Sequence, residues 1–160
     1  MLPTVSFVLL FALGAAAGAD AGQPPPGPVV SAIRAQLFQN KSGQLSENVL
    51  DPKYRGGWNT IAGPNATNAT LIVVVVSGVR ADYDSGQKYS VKLVARETGR
   101  SPKVLLSSTQ SVPASDDRGM IYLPFLIYQT GCSPVHVSVV LIGPQRGKPL
   151  ERTMAFACGE

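Results

Sequence analysis

Apolar side chains recur along this chain in short runs with a period of two, and that pattern constrains the fold more than any other feature. In the run KYSVKLVAR, residues 88–96, Tyr89, Val91, Leu93 and Ala95 alternate largely with polar side chains. Because successive side chains of a β-strand point to opposite faces, the run predicts a strand with one buried face and one face in water.

Comparable runs predict further strands, over residues 30–38, 70–79, 103–111, 120–129, 135–143 and 150–158. Residues 30–38 also fit a short helix, and we predict a strand there. The run 70–79, TLIVVVVSGV, is continuously apolar and β-branched, which predicts a central strand covered on both faces. Pro124 has no N–H to donate to a ladder, and so favours an edge strand or a bulge.

About seven short strands, short turns and no clear helical pattern predict an all-β fold, an antiparallel β-sandwich of immunoglobulin-like architecture. The order Cys, Trp, Cys that marks immunoglobulin domains proper does not occur, because Trp58 precedes both cysteines. The prediction therefore concerns the architecture and names no family.

The N-terminal sequence predicts secretion. An unbroken apolar run, Phe7–Leu13, is followed by small residues with the pattern A-x-A at 17–19 and 19–21, which is typical of a cleaved signal peptide over residues 1–21. No Lys or Arg precedes the run, so an uncleaved anchor is the alternative. The Pro- and Gly-rich residues 22–28 predict a spacer, and 29–160 a single β-sandwich domain.

A cleaved signal peptide would place the mature protein outside the cell, or in the periplasm if the source is a bacterium. No later segment is apolar enough to predict stable membrane insertion after cleavage. The basic residues are scattered over a chain of net charge +4, and no run of three occurs. Nucleic-acid binding would require clustered charge with stacking aromatic residues, so none is predicted.

The two cysteines, Cys132 and Cys158, predict one disulfide, because secreted proteins fold in an oxidising compartment. If the last two strands form a hairpin that closes near Gly143 and Lys148, paired residue numbers sum to about 291 (143 + 148). That register brings Cys132 beside Cys158.

The single histidine, His136, lies four residues after Cys132 and raises the question of a catalytic or metal site. Four residues of strand span about 13 Å, and a disulfide removes the nucleophilic thiolate. A zinc site requires three or four ligands. We therefore predict that His136 lies with Ser138 on the face opposite the inward valines.

Enzyme motifs are also missing from the sequence. It contains no G-x-S-x-G elbow and no phosphate-binding glycine loop. We predict no enzymatic activity and no cofactor. A loop calcium site remains an alternative, because acidic residues at 82, 84, 116 and 117 fall in turns that a sandwich can bring together.

The sequence thus predicts a secreted, non-enzymatic module that binds an extracellular or envelope protein or glycan, or that has a structural role there. Residues 39–68 form a long irregular connection, and the predicted contact surface is its loop 51–68, with Tyr54, Arg55 and Trp58, because Tyr and Trp dominate binding hot spots. The alternative is an inhibitor or effector that inserts loop 51–68 into a target protein.

Other exposed aromatic candidates are Tyr83, Tyr122 and Tyr128. Three N-x-S/T sequons, at Asn40, Asn65 and Asn68, predict glycosylation sites in a eukaryote.

Overall fold

The computed structural model describes residues 27–54, 66–79, 89–99, 101–114, 119–130, 132–144 and 147–156. Within these ranges the regular structure consists of strands and contains no helix. The strands are β1 (Val29–Phe38), β2 (Ala69–Ser77), β3 (Ser90–Glu97), β4 (Val104–Ser111), β5 (Met120–Tyr128), β6 (Val135–Ile142) and β7 (Leu150–Met154).

The seven strands form two antiparallel sheets, with the orders β1-β2-β5 and β4-β3-β6-β7. The chain passes from one sheet to the other after β2, after β4 and again after β5. This arrangement confirms the prediction of an all-β sandwich, and residues 30–38 form a strand.

The inner faces of both sheets form one hydrophobic core. The predicted alternation is confirmed in β3, where Val91, Leu93 and Ala95 are fully buried. The other sheet contributes the apolar side chains of Ile72 and Phe125 to the same cluster. Burial of apolar area is the main favourable term in folding, and it fixes which face of each strand turns inward.

Strand β5 lies at the edge of the three-stranded sheet, as Pro124 predicts. The Gln110 side chain on β4, itself the edge of the second sheet, donates from Nε2 to the Pro124 carbonyl oxygen at 2.7 Å. The side-chain amide thus links the two sheets where these edge strands approach each other.

The free edge of β1 is covered by residues 45–49, here called the edge strap. The amide of Leu37 donates to Ser46 Oγ at 2.9 Å, and the amide of Ala35 donates to Asn48 Oδ1 at 2.9 Å. Val49 returns a backbone bond to the Ala35 carbonyl and buries its side chain in the core. The strap therefore satisfies backbone groups that an open sheet edge would leave unpaired.

The hairpin of β6 and β7 has a register two residues from the predicted one. Val135 pairs with Met154 and Val139 with Leu150, so paired numbers sum to 289 (135 + 154). Pro149 has no N–H to donate, and the ladder begins at Leu150. A shift of two residues keeps every side chain on its predicted face, and Met154 is buried.

Candidate interaction surface

The outer face of the sheet β1-β2-β5 is the most unusual surface of the described protein. Strand alternation and the pairing of β2 with both neighbours place fifteen side chains on this face, in five cross-strand rows. A bulge between Val30 and Ala32 shifts the alternation along β1 by one residue, so that Val29 pairs with Ser77 and lies on this face. We call this set the outer apolar face; its rows are Phe38–Ala69–Tyr128, Gln36–Leu71–Leu126, Arg34–Val73–Pro124, Ala32–Val75–Tyr122 and Val29–Ser77–Met120.

Twelve of these fifteen described positions hold apolar or aromatic residues, and none holds a carboxylate. Large side chains on the face are open to solvent: Tyr128 is 65 % exposed, Tyr122 50 %, and Leu126 40 %. The largest exposed apolar patch of a soluble monomer is often a functional site, so this face is a candidate for binding.

The outer face of the second sheet is of the opposite character. Its cross-strand neighbours include Arg96 beside His136, Lys92 beside Val140, and Ser138 beside Glu151. Charged and polar side chains are what an antiparallel sheet normally presents to water. The contrast between the two outer faces, within one protein, makes the outer face of the three-stranded sheet the candidate interaction surface.

The sequence predicted that β2 would be covered on both faces, and the described strands cover only one. Ile72, Val74 and Val76 are fully buried on the inner face, whereas Leu71 and Val73 on the outer face remain partly exposed. The uninterrupted valine run therefore reflects two apolar faces, of which the second sheet packs against one.

A cation on the outer apolar face lies against an aromatic ring. The guanidinium carbon of Arg34 is 5.9 Å from the ring centroid of Tyr122, within the range of a cation–π contact. The two side chains start from β1 and β5, so they meet over β2. Val75, which lies between these strands, is only 4 % exposed although it is on the outer face.

His136 lies on the polar outer face with Ser138, as predicted. Its Nε2 is 3.8 Å from Glu151 Oε2, and the residue is partly exposed beside the fully buried Val135 and Val137. Cys132 lies in a bend before β6, while Cys158 lies outside the described residues. Within the described ranges, no three His, Cys, Asp or Glu side chains come together as metal ligands.

Of the three residues singled out in the predicted loop surface, only Tyr54 is described. Its ring is half-buried and packs against the core. Burial raises the pKa of Tyr54, as does the nearby Glu47 carboxylate, while a hydrogen bond with Ser46 acts in the opposite direction. Arg55 and Trp58 lie outside the described residues, so their role in binding stays a prediction.

Two of the sequon asparagines, Asn40 and Asn68, are exposed, as glycosylation sites must be. Both lie at the same end of the three-stranded sheet. There the backbone N–H of Asn40 donates to the Ala66 carbonyl oxygen at 3.0 Å. Asn65, Tyr83 and the acidic residues of the alternative calcium site lie outside the described residues.

Across the described part of the chain, no helix has the length and apolar character needed to cross a membrane.

Fold and surface together define an all-β, two-sheet protein with one apolar and one polar outer face. The chain matches no protein-family model and no curated protein sequence. A function must therefore be inferred from the chemistry of the outer apolar face. The sequence did carry a signal for it, in the apolar residues Tyr122, Leu126 and Tyr128 opposite the inward face of β5.

Proposed function

We propose that this chain is a secreted, non-enzymatic β-sandwich that acts as a protein-binding module, and that the outer apolar face is its contact surface. The observation that carries the proposal is the contrast between the two outer faces. One holds exposed Tyr122, Leu126 and Tyr128 with no carboxylate, and the other is polar. Binding would remove this apolar area from water, which is the main driving force of protein association.

A protein suits this surface better than a glycan does. Sugars are held by stacking on aromatic rings combined with polar groups that bond their hydroxyls. In the two rows between those of Tyr122 and Tyr128, four of the six positions are apolar, and Gln36 and Arg34 on β1 hold the other two. Sugar hydroxyls buried against the four apolar side chains would lack partners, which costs free energy, whereas apolar side chains of a protein would fit there.

Capture from extracellular fluid of the source organism tests the proposal. Immobilised mature protein is compared with Leu126→Ser and with Val140→Ser, a matched change on the outer face of the second sheet. We expect a partner that is retained by the wild type and by Val140→Ser and is lost with Leu126→Ser. Equal recovery with all three proteins would refute the proposed surface.

Secretion and a disulfide between Cys132 and Cys158 belong to the same proposal. No described cysteine is a free thiol. Cys132 lies three residues before Val135, whose ladder partner is Met154, and Cys158 lies four residues after that partner. This spacing supports a bond at the open end of the β6–β7 hairpin.

Such a bond would enclose 25 residues (133–157), and a loop of this size gives about 3 kcal/mol of stabilisation in the chain-entropy model. Intact-mass measurement of the secreted protein with an alkylating reagent tests both points. We expect a chain lacking residues 1–21 that takes up reagent only after reduction. Alkylation of both cysteines without reductant would disprove the bond.

We also propose that the sandwich is immunoglobulin-like. The strand orders support this, because the immunoglobulin arrangement likewise pairs its first, second and fifth strands in one sheet and its third, sixth and seventh in the other. An experimental structure with a different connection between the sheets would contradict this assignment.

A further inference from the structure

We infer that the outer apolar face binds an amphipathic helix of a partner protein, with a carboxylate near the middle of the helix placed against Arg34. This inference rests on the proposed function and adds the chemistry of the partner. It follows from the size of the face, from its charge and from the position of that charge.

The dimensions of the face suit a single helix. β2 spans nine residues, so at about 3.3 Å per residue and ~4.8 Å between strands, three strands present roughly 30 by 14 Å, about 400 Å². An α-helix with its side chains is about 10–12 Å wide, and about 20 residues extend 30 Å. One amphipathic helix would therefore cover the face, whereas a single added strand would cover about a third of its width.

A second copy of the chain fits this face less well. Face-to-face packing would enclose an Arg34 from each copy, and the fifteen described positions offer no carboxylate to pair with them. Burying unpaired charges is costly, so the charge pattern disfavours self-association.

The position of Arg34 predicts where the acidic group of the partner lies. Arg34 belongs to the third of the five rows, with Val73 and Pro124, so the positive charge is central on the face. Its contact with the Tyr122 ring holds the guanidinium over β2. The guanidinium N–H groups lie in one plane and match a carboxylate in a bidentate hydrogen bond. A helix with an apolar stripe and one central Asp or Glu complements both properties of the face.

Defined peptides test this inference without a known partner. Three synthetic helical peptides of about 20 residues share one leucine stripe and carry Glu, Gln or Lys at its centre. Their binding to the mature protein is measured by fluorescence anisotropy for the wild type, Arg34→Gln, Arg34→Lys and Leu126→Ser, with Lys92→Gln on the opposite outer face as control. Circular dichroism checks that each variant is folded.

We expect the wild type to bind the Glu peptide about tenfold more tightly than the Lys peptide. Arg34→Gln should abolish this preference, Arg34→Lys should retain only part of it, and Lys92→Gln should leave it unchanged. Leu126→Ser should weaken the binding of all three peptides to a similar extent. An unchanged preference in Arg34→Gln, or none in the wild type, would overturn the inference.

The variants separate this inference from the proposed function. If Leu126→Ser weakens the binding of all three peptides but the wild type shows no charge preference, the face binds proteins and the inference of an acidic helix is wrong. If no peptide binds, or if Leu126→Ser has no effect, the docking surface itself is wrong. Two further experiments test the other possible occupants of the face. Sedimentation equilibrium tests for a second copy of the chain, and flotation with anionic vesicles tests for a membrane surface. Dimerisation or vesicle binding that Leu126→Ser abolishes would assign the face to a second copy or to a membrane surface, and would overturn the inference.

Discussion

Phe125 and Leu126 are neighbours on β5, and we expect them to contribute very differently to stability. Phe125 points into the core and is 3 % exposed, whereas Leu126 is on the outer apolar face and is 40 % exposed. Replacing a core Phe by Ala costs about 3–5 kcal/mol, because apolar burial is lost and a cavity remains. We expect Phe125→Ala to lower the free energy of unfolding by this amount.

Leu126→Ala should cost much less. Full burial of a Leu side chain contributes about 1.5–3 kcal/mol, and Leu126 already leaves 40 % of its surface in water. Truncation at an open surface leaves no closed cavity, and alanine keeps the Cβ atom. The expected loss is therefore about 1 kcal/mol.

Urea denaturation followed by circular dichroism measures both variants against the wild type. The two changes lie on one strand, so differences in local propensity largely cancel. If Leu126→Ala cost as much as Phe125→Ala, another layer would have to cover the outer face, and the proposed interaction surface would not exist. If Phe125→Ala were the milder change, the register of β5 would be wrong.

Three further predictions concern single contacts. Asn48→Ala removes the acceptor of the buried Ala35 amide, so we expect a loss of about 1–3 kcal/mol and faster hydrogen exchange at that amide. A Cβ atom at Gly143 would overlap the Tyr89 ring, so Gly143→Ala should cost about 1–3 kcal/mol in urea denaturation. Folding raises the pKa of Tyr54 above its ordinary value of 10.0. The contribution of the neutral phenol to folding stability is therefore present below pH 10.0 and is lost as the pH rises through the folded pKa. Tyr54→Phe should remove this contribution to the loss of stability at high pH.

Each of these predictions has a control. Ser42→Ala alters an exposed hydrogen bond and should leave exchange at Ala35 unchanged. At Gly147, an added Cβ would meet its nearest atom, Leu141 Cβ, at 3.6 Å. Gly147→Ala should therefore change the free energy of unfolding very little. Equal losses in the two glycine variants would argue against the Tyr89 overlap. Parallel stability curves for wild type and Tyr54→Phe between about pH 9 and pH 11 would contradict the pH prediction.

The strands and their inward faces could be predicted from the sequence because a period of two encodes both. Val91 and Leu93 in β3, and Val135 and Val137 in β6, are buried where the alternation predicts. Pro124 predicted the edge position of β5 from its missing N–H.

The edge strap could not be predicted in the same way. Its sequence, LSENV, has three polar residues between two apolar ones and shows no strand period. Val49 becomes a core residue because Ser46 and Asn48 bond the edge of β1. The predicted hairpin register of β6 and β7 was wrong by two residues, because it assumed closure near Gly143 and Lys148 and a shift of two residues leaves the alternation unchanged.

The outer apolar face could be predicted from the sequence only in part. The sequence singled out Tyr122 and Tyr128 as exposed aromatic residues, but periodicity cannot say that β5 pairs with β2. That pairing joins their outer side chains to Leu71 and Val73 in one continuous surface. The central position of Arg34 likewise depends on the pairing of β1 with β2.

Site-specific photo-cross-linking tests the central claim most directly. The photoreactive amino acid benzoylphenylalanine replaces Leu126 in one protein and Val140, on the polar outer face, in another. Each is irradiated in the extracellular fluid in which the protein is found. We predict a cross-linked product of one defined mass from position 126 that is lost when Leu71→Ser is added, and no such product from position 140. The same product from both positions, or a product from position 140 alone, would contradict the account.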